Sequence, residues 1–207
     1  PDNGTGHGAG GGWMKRTIET LRRVKVSAPE QRIGQYPHQL SGGMKQRVVG
    51  AICISAAPQV MIADEPTTAL DATVQLQYLN LLRDLQRDTG MAMLFITHDF
   101  GVVAKMCDRV AVMYAGRIVE SGPVRELFDN PAHPYTQALV ASVPKMTADV
   151  ARLKTIEGQP PTMNDLPPGC RFEARCPHAQ PQCREAYPDF TSVGAGHQAA
   201  CWKLESS

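Results

Sequence analysis

The chain has 207 residues, of which 43% are hydrophobic, so it is long enough for one domain with an appendage. Its 21 basic and 20 acidic residues nearly cancel, which argues against a general binding surface for nucleic acid or for an anionic membrane. The sequence contains neither an apolar run long enough to span a bilayer nor a secretory signal pattern. These properties predict a soluble, intracellular protein.

The N-terminal segment, residues 1–12, is rich in glycine and lacks apolar periodicity, so we expect it to be flexible. Apolar residues at helical spacing then predict a helix from Trp13 to Val26. A second helix is predicted after Ser41, whose hydroxyl is suited to an N-cap, with Val48, Val49, Ile52 and Ala56 on one face.

Two apolar runs of strand length, residues 60–63 and 91–96, each precede polar residues. A helix is predicted between them over Thr73–Asp88, with Gly90 as its C-cap. Strands at 109–114 and 117–120 and helices at 124–128 and 133–143 follow. The alternation predicts an α/β fold with a mainly parallel, helix-covered sheet whose strands are buried on both faces.

Polar residues that follow these strands predict a site, because α/β sheets bind ligands at the carboxyl ends of their strands. Asp64 and Glu65 follow the first strand, and His98 follows the second. Asp64 has the hard oxygen ligand that Mg²⁺ prefers, and Glu65 is placed to act as a general base in phosphoryl transfer. The alternative is that the two carboxylates are simply a solvated strand end.

Ser41, Gly42 and Gly43 offer a hydroxyl and free amides at the start of a helix, where the helix dipole favours a phosphate. The simpler interpretation is an ordinary helix cap. Residues 158–207 are rich in Pro, Gly and Cys and lack periodic apolar positions, so we expect no conventional core there.

Four cysteines in this tail predict a metal centre, because clustered cysteines of intracellular proteins bind metals more often than they form disulfides. They are Cys170, Cys176, Cys183 and Cys201. Their spacing matches neither ferredoxins nor zinc ribbons, so an iron–sulfur cluster, zinc and unliganded cysteines all remain open. Cys53 and Cys107 stand in apolar surroundings and are interpreted as small buried hydrophobic residues.

Four motifs occur in an order that resembles the ATP-binding-cassette (ABC) ATPases: LSGGMKQR at 40–47, VMIADEPT at 60–67, ALD at 69–71 and ITHD at 96–99. The resemblance implies that Ser41, Gly42 and Gly43 belong to the signature motif, which contacts the nucleotide of the opposite subunit. It also implies that Asp64 is the Walker B magnesium residue, Glu65 the catalytic base, Asp71 the D-loop contact and His98 the switch histidine.

The phosphate-binding loop of that family, G-x-x-x-x-G-K-[ST], is absent from the sequence. We therefore expect a partial ABC ATPase domain over 13–143, and an isolated chain that binds ATP weakly or not at all, because this loop supplies most of the phosphate contacts. Residues 144–207 form the predicted Cys-rich extension.

Further motifs resemble the oligopeptide/dipeptide branch of the importers: YPHQL at 36–40, HPYTQAL at 133–139 and GCRFEARC at 169–176. The resemblance implies an ATPase subunit at the cytoplasmic face of the membrane, with ATP and Mg²⁺, a second ATPase subunit, membrane permeases and an extracytoplasmic binding protein. It favours [4Fe–4S] over Zn²⁺ in the tail. The alternatives are a nickel importer, a non-transport ABC ATPase and a non-catalytic binding module; no nucleic-acid partner is expected.

Overall fold

The computed structural model describes residues 10–68, 70–143 and 155–205. The chain divides into two compact units, Pro1–Val102 and Val103–Ser207. Among the described helices, none combines the length and the apolar character that a membrane crossing requires. Residues 1–9 of the predicted flexible segment lie outside the described residues, whereas Gly10 already begins the first helix.

The first unit alternates helices and strands, as predicted. β1 and β2 pair in parallel, with Ile62 opposite Leu94, and α4 connects them. The elements are α1 (Gly10–Arg23), α2 (Pro29–Arg32), a 3₁₀ turn (Pro37–Gln39), α3 (Gly42–Ser55), β1 (Val60–Asp64), α4 (Ala72–Thr89), β2 (Ala92–Ile96) and α5 (Phe100–Met106), which continues past the unit boundary.

Helix α4 contributes five buried side chains to the core of this unit. Asp71 caps its N-terminus by accepting hydrogen bonds from the amides of Thr73 (3.0 Å) and Val74 (2.9 Å). Gly90 ends it in the left-handed conformation with φ of 70°, which confirms the predicted C-cap. The buried side chains are Tyr78, Leu79, Leu81, Leu82 and Leu85.

The apolar face predicted for α3 is not the face that is buried. Gly50, Ala51 and Ile54 are buried, whereas Val49 and Ile52 are exposed. The buried side faces α4, where a methyl group at Gly50 would lie at an ordinary contact distance, 3.5 Å, from the hydroxyl of Tyr78. Cys53 shares the exposed side, so its interpretation as a buried residue is also wrong.

Only one face of the β1–β2 sheet is buried, which corrects the prediction of strands covered on both sides. Met61 and Ala63 point into the core, whereas Val60 and Ile62 are exposed on the opposite face. In β2, Leu94 and Ile96 continue this exposed apolar face. The alternation follows from the two-residue period of a strand whose outer face carries no covering layer among the described residues.

Adjacent residues of β1 should therefore differ sharply in their contribution to stability. Met61→Ala is expected to lower the free energy of unfolding by about 2–5 kcal/mol, because Met61 is buried. Ile62→Ala should cost less than about 1 kcal/mol, since 64% of Ile62 is already exposed. Urea denaturation of the two variants measures the difference. Equal losses would contradict this orientation of the strand.

The second unit contains an antiparallel sheet of strand order β3-β4-β6-β5, so the prediction of a mainly parallel sheet fails here. The cause is the two-residue turn at Ala115 and Gly116, whose φ values of 45° and 81° join β3 and β4 as a hairpin. The elements are β3 (Arg109–Tyr114), β4 (Arg117–Pro123), α6 (Val124–Asp129), α7 (Pro134–Ser142), a 3₁₀ turn (Glu173–Arg175), α8 (Gln182–Glu185), β5 (Phe190–Gly194), β6 (His197–Ala200) and a final 3₁₀ turn (Trp202–Leu204).

The Cys-rich tail contributes to the core of this unit, contrary to the expectation from its composition. β6 pairs with β4, and Phe172 is buried against the rings of Tyr114 and Tyr135 at centroid distances of 5.3 Å. The cluster is completed by Val112, Val119 and Leu127. The predicted domain boundary near residue 143 stays a prediction, and the compact units divide after Val102.

Candidate functional site

Glu65 and His98 meet at the carboxyl ends of β1 and β2. The Nδ1 atom of His98 lies 2.7 Å from Oε1 of Glu65, and the His98 backbone amide donates to the same oxygen at 3.3 Å. The other carboxylate oxygen of Glu65 accepts a hydrogen bond from the Thr68 hydroxyl at 3.1 Å. Parallel pairing of the strands brings the two segments together across 33 positions, as the sequence predicts.

The backbone at Glu65 has an uncommon conformation. Its φ is 44°, in the left-handed region that residues other than glycine rarely adopt. The Glu65 amide donates to the carbonyl of Ile96 at 2.8 Å and so continues the ladder between the strands. The hydrogen bond from His98 lowers the pKa of the Glu65 carboxyl, against an opposing effect of desolvation. Glu65 is therefore ionised at neutral pH and can accept a proton.

Asp64, the predicted magnesium residue, is exposed as the last residue of β1. It directly precedes Glu65, so the two predicted carboxylates belong to one strand end. Its exposed oxygen ligands suit a hard cation that shares its coordination with phosphate and water. The sequence did not predict Thr68 as a partner of this cluster, because a threonine in a loop carries no distinctive pattern.

The predicted signature residues form a second cluster with Asp71. Ser41 is the N-cap of α3, and its hydroxyl accepts a hydrogen bond from the Met44 amide at 3.4 Å. This helix start lines an open depression of about 320 Å³. The depression is bordered by Ser41, Gly42, Gly43, Met44, Arg47, Leu70, Asp71, Val74 and Gln77. None of these residues belongs to the Glu65–His98 pair, and Ala69 lies outside the described residues.

The two glycines of this cluster should respond differently to substitution. A methyl group at Gly43 would lie 2.7 Å from Cγ1 of Val74, so Gly43→Ala is expected to destabilise the fold by about 1–3 kcal/mol. At Gly42 the nearest atom is Leu70 Cδ2 at 3.9 Å, so Gly42→Ala should change stability by less than about 1 kcal/mol. Thermal denaturation compares them. A Gly43→Ala variant as stable as the wild type would contradict the close approach of α3 and α4.

In the second unit, the four tail cysteines line one small cavity of about 10 Å³. The Sγ atoms of Cys176 and Cys183 accept hydrogen bonds from backbone amides, those of His178 (3.4 Å) and Gln180 (3.5 Å). The cysteines are free, and burial raises the pKa of the Cys170 thiol to about 11. Across the described residues, no group of three or more His, Cys, Asp or Glu side chains is arranged to hold a metal ion.

His133 lines the same cavity and is almost completely buried. Its Nδ1 atom accepts a hydrogen bond from the Tyr135 amide at 3.0 Å and so caps α7. Burial lowers the pKa of His133 to about 4, although the nearby Glu120 carboxylate opposes the shift. The neutral imidazole is therefore the form that the folded protein accommodates.

Acidification should destabilise the fold through His133. The unfolded chain takes up a proton near pH 6.5 whereas the folded protein resists until about pH 4, so stability is lost as pH falls between these values. His133→Asn keeps a cap acceptor but removes the titrating ring. Urea denaturation at pH 7 and pH 5 should show a smaller loss in this variant than in the wild type. An equal loss would contradict the role of His133.

Comparison with known proteins agrees with the motifs. The ABC transporter family model matches residues 9–68, and the model of the oligopeptide/dipeptide transporter C-terminal region matches residues 119–183. The probable peptide ABC transporter ATP-binding protein y4tR of Sinorhizobium fredii is 49% identical over 92% of this chain. The dipeptide transport ATP-binding protein DppD of Bacillus subtilis is 47% identical over 91% of it.

The chain spans about half the length of these relatives, namely 57% of the first and 56% of the second. A solved structure, cbiO1 of Clostridium perfringens, part of the ABC transporter complex cbiONQ, is similar over 56% of this chain and 45% of its own. The TM-score is 0.49 and the identity 34%. Both matched segments and the relatives agree with the sequence motifs: the chain belongs to the ABC transporter ATP-binding proteins that carry the oligopeptide/dipeptide transporter C-terminal region.

Proposed function

We propose that the chain is the part of an ATP-hydrolysing importer subunit that contains the catalytic carboxylate, the switch histidine and the signature motif. The observation that carries the proposal is the 2.7 Å contact between His98 Nδ1 and Glu65 Oε1 at the carboxyl ends of two parallel strands. A base that is already ionised, next to a ring that can contact a phosphate, suits hydrolysis of a phosphoanhydride.

Each residue of this cluster has one proposed role. Glu65 orients the attacking water and accepts its proton, and His98 contacts the γ-phosphate while its Nδ1 faces Glu65. Asp64 is the proposed protein ligand of Mg²⁺, which would neutralise charge on the phosphates when it is bound. The exposed position of Asp64 at the strand end is compatible with that role.

The depression around Ser41 is the proposed contact with the nucleotide of a second ATPase subunit. Ser41, Gly42 and Gly43 present a hydroxyl and the amides of a 14-residue helix, whose N-terminal dipole favours a phosphate. Asp71 borders the same depression and is the proposed D-loop contact across that interface. The active unit is therefore a dimer in this proposal.

The proposed cargo is a peptide, because the relatives are named as peptide and dipeptide transport proteins. The proposed partners are membrane permeases that hold the subunit at the cytoplasmic face, and an extracytoplasmic substrate-binding protein. A nickel importer remains the alternative within this class, and a non-transport ABC ATPase or a non-catalytic module the alternative outside it. Uptake assays with labelled dipeptide and with labelled nickel distinguish the two importers, because each should transport only its own substrate.

A chimaera with the Bacillus subtilis dipeptide transport protein tests the proposal. In this chimaera, the chain replaces the matched segment of the Bacillus protein, and the rest of that protein is kept. We call the product the chimeric subunit. It should hydrolyse ATP and restore dipeptide uptake in a strain that lacks the Bacillus protein. Ser41→Arg should abolish hydrolysis because the new side chain blocks the phosphate. A well-folded chimeric subunit without ATPase activity would contradict the proposal.

The isolated chain is expected to bind Mg-ATP weakly or not at all, because it lacks the phosphate-binding loop. Calorimetric titration of the 207-residue chain measures this. Micromolar affinity would show that the residues present suffice for nucleotide binding.

A second proposed function is a thiolate metal centre, carried by the four cysteines around one cavity. Their soft donors suit an iron–sulfur cluster or zinc. The backbone N–H groups that face Cys176 and Cys183 can donate hydrogen bonds to thiolates. We favour [4Fe–4S], with Zn²⁺ as the alternative. The metal would hold the tail segments together and displace the thiol protons.

Metal analysis after anaerobic purification decides between these forms. Iron with broad visible absorption is expected for the cluster, and stoichiometric zinc without iron would contradict it. Cys183→Ser should lower the metal content, whereas Cys53→Ser, on the exposed side of α3, provides the matched control. Metal-free protein after anaerobic purification and reconstitution would contradict both forms of the centre.

A further inference from the structure

The loop that carries His98 is held by the next residue, Asp99, through both oxygens of its carboxylate. Oδ1 accepts hydrogen bonds from the amides of Gly101 (2.7 Å) and Val102 (3.2 Å), at the start of α5. Oδ2 accepts a hydrogen bond from Nε2 of Gln75 at 3.0 Å. Asp99 thus joins the start of α5 to a side chain of α4.

Apart from its two contacts with Glu65, His98 has little to hold it in place. Its side chain is 86% exposed, so packing restrains the ring only weakly, and the ring's direction depends on the backbone that carries it. That backbone is fixed by Asp99, whose amide also donates to the Thr97 hydroxyl at 3.1 Å. A shift of Asp99 would therefore move His98 relative to Glu65.

Gln75 is a firm support for Asp99 because it belongs to α4, which has a capped N-terminus and five buried side chains. It lies one turn after the N-cap Asp71, and its amide donates to the Asp71 carbonyl at 2.8 Å. The Gln75 side chain is partly buried, and α4 is fixed by five buried side chains further along. The amide group of Gln75 is therefore presented to Asp99 from a rigid element.

We propose that Gln75 is a positioning residue for the switch histidine: its amide holds Asp99, and Asp99 holds His98 against Glu65. The catalytic role of His98 in this inference rests on the proposed function. The hydrogen bond between Gln75 and Asp99 does not depend on it. The proposed D-loop residue Asp71 lies one helical turn before Gln75 on the same helix. Gln75 lies outside the sequence motifs.

Gln75→Glu tests the contact in the 207-residue chain, because it keeps the shape but puts a second carboxylate against Asp99. NMR should show loss of the His98 Nδ1 hydrogen-bond shift. Hydrogen exchange of the Gly101 and Val102 amides should accelerate roughly threefold to tenfold, the range of a typical internal hydrogen bond. Asn80→Asp, an exposed amide-to-acid change on the same helix, should leave these signals unchanged.

A reversed pair provides the rescue. In Gln75→Glu with Asp99→Asn, the donor and the acceptor exchange places, and asparagine still caps a helix. The His98 and Gly101 signals should return toward those of the wild type. Unchanged signals in the single variant, or no recovery in the double variant, would overturn the proposal.

The chimeric subunit separates this proposal from the proposed function. Gln75→Glu should lower kcat about tenfold or more with KM for ATP unchanged, because a displaced His98 affects the transition state more than binding. If the wild-type chimeric subunit is inactive while the NMR responses appear, the proposed function fails and the positioning contact stands. If kcat is unaffected by Gln75→Glu although the contact is lost, the positioning role is overturned.

Discussion

Glu65→Gln is expected to lower ATP hydrolysis by the chimeric subunit about 10²- to 10⁴-fold, the usual contribution of a general base. Glutamine keeps the size of the side chain and can still contact His98, but it cannot accept the proton of the attacking water. Binding of ATP should persist, because the substitution changes the chemical step. Steady-state phosphate release, together with nucleotide binding at equilibrium, measures the two effects.

Asp88→Asn is the matched control, since it also removes an exposed carboxylate from the same unit. Its hydrolysis rate should stay within about twofold of the wild type, because surface changes away from a site have small effects. Glu65→Gln activity within a few-fold of the wild type would assign the base to another group. The solvated strand end would then be the better interpretation of Asp64 and Glu65.

Glu120→Ala is expected to destabilise the second unit by about 3–5 kcal/mol, because each buried group that loses its hydrogen-bond partner costs about 1–3 kcal/mol. The Glu120 carboxylate is completely buried and accepts hydrogen bonds from the amides of Ala132 (2.8 Å) and His133 (2.9 Å). Its Oε1 also lies 2.7 Å from Nε2 of the buried His197. Removing the carboxylate leaves all three groups without this acceptor in the interior.

The losses of stability from removing Glu120 on β4 and His197 on β6 should be coupled, because the two side chains are in contact. Glu120→Ala with His197→Ala should cost less than the sum of the two single variants, as measured by urea denaturation. Glu185→Ala, at an exposed position of α8, should change stability by less than about 0.5 kcal/mol. Additive losses from the first pair would show that the two side chains act independently.

Much of the first unit was predictable because its signals are local. The N-cap Ser41, the C-cap Gly90 and the apolar runs before Asp64 and His98 act within a few residues. The pairing of two parallel strands then brings their following residues together, as the general rule for α/β sheets predicts. The roles proposed for Asp64, Asp71 and the signature residues remain predictions.

The errors arose where burial depends on partners far apart in sequence. The sequence pattern did not distinguish the exposed Ile52 and Cys53 of α3 from its buried Ala51 and Ile54. The choice depends on which side of α3 faces α4, where a methyl group at Gly43 would lie 2.7 Å from Val74. Periodicity indicates that a helix has a buried face, but its neighbours decide which residues form it.

The sequence by itself determined the family, the α/β order of the first unit and the residues at the ends of its strands, because motifs and strand signals are short-range. The tertiary structure alone decided that the Cys-rich tail adds β5 and β6 to an antiparallel sheet and places Phe172 in its core. It also decided that Gln75 supports Asp99. These contacts join distant residues, and no local pattern records them.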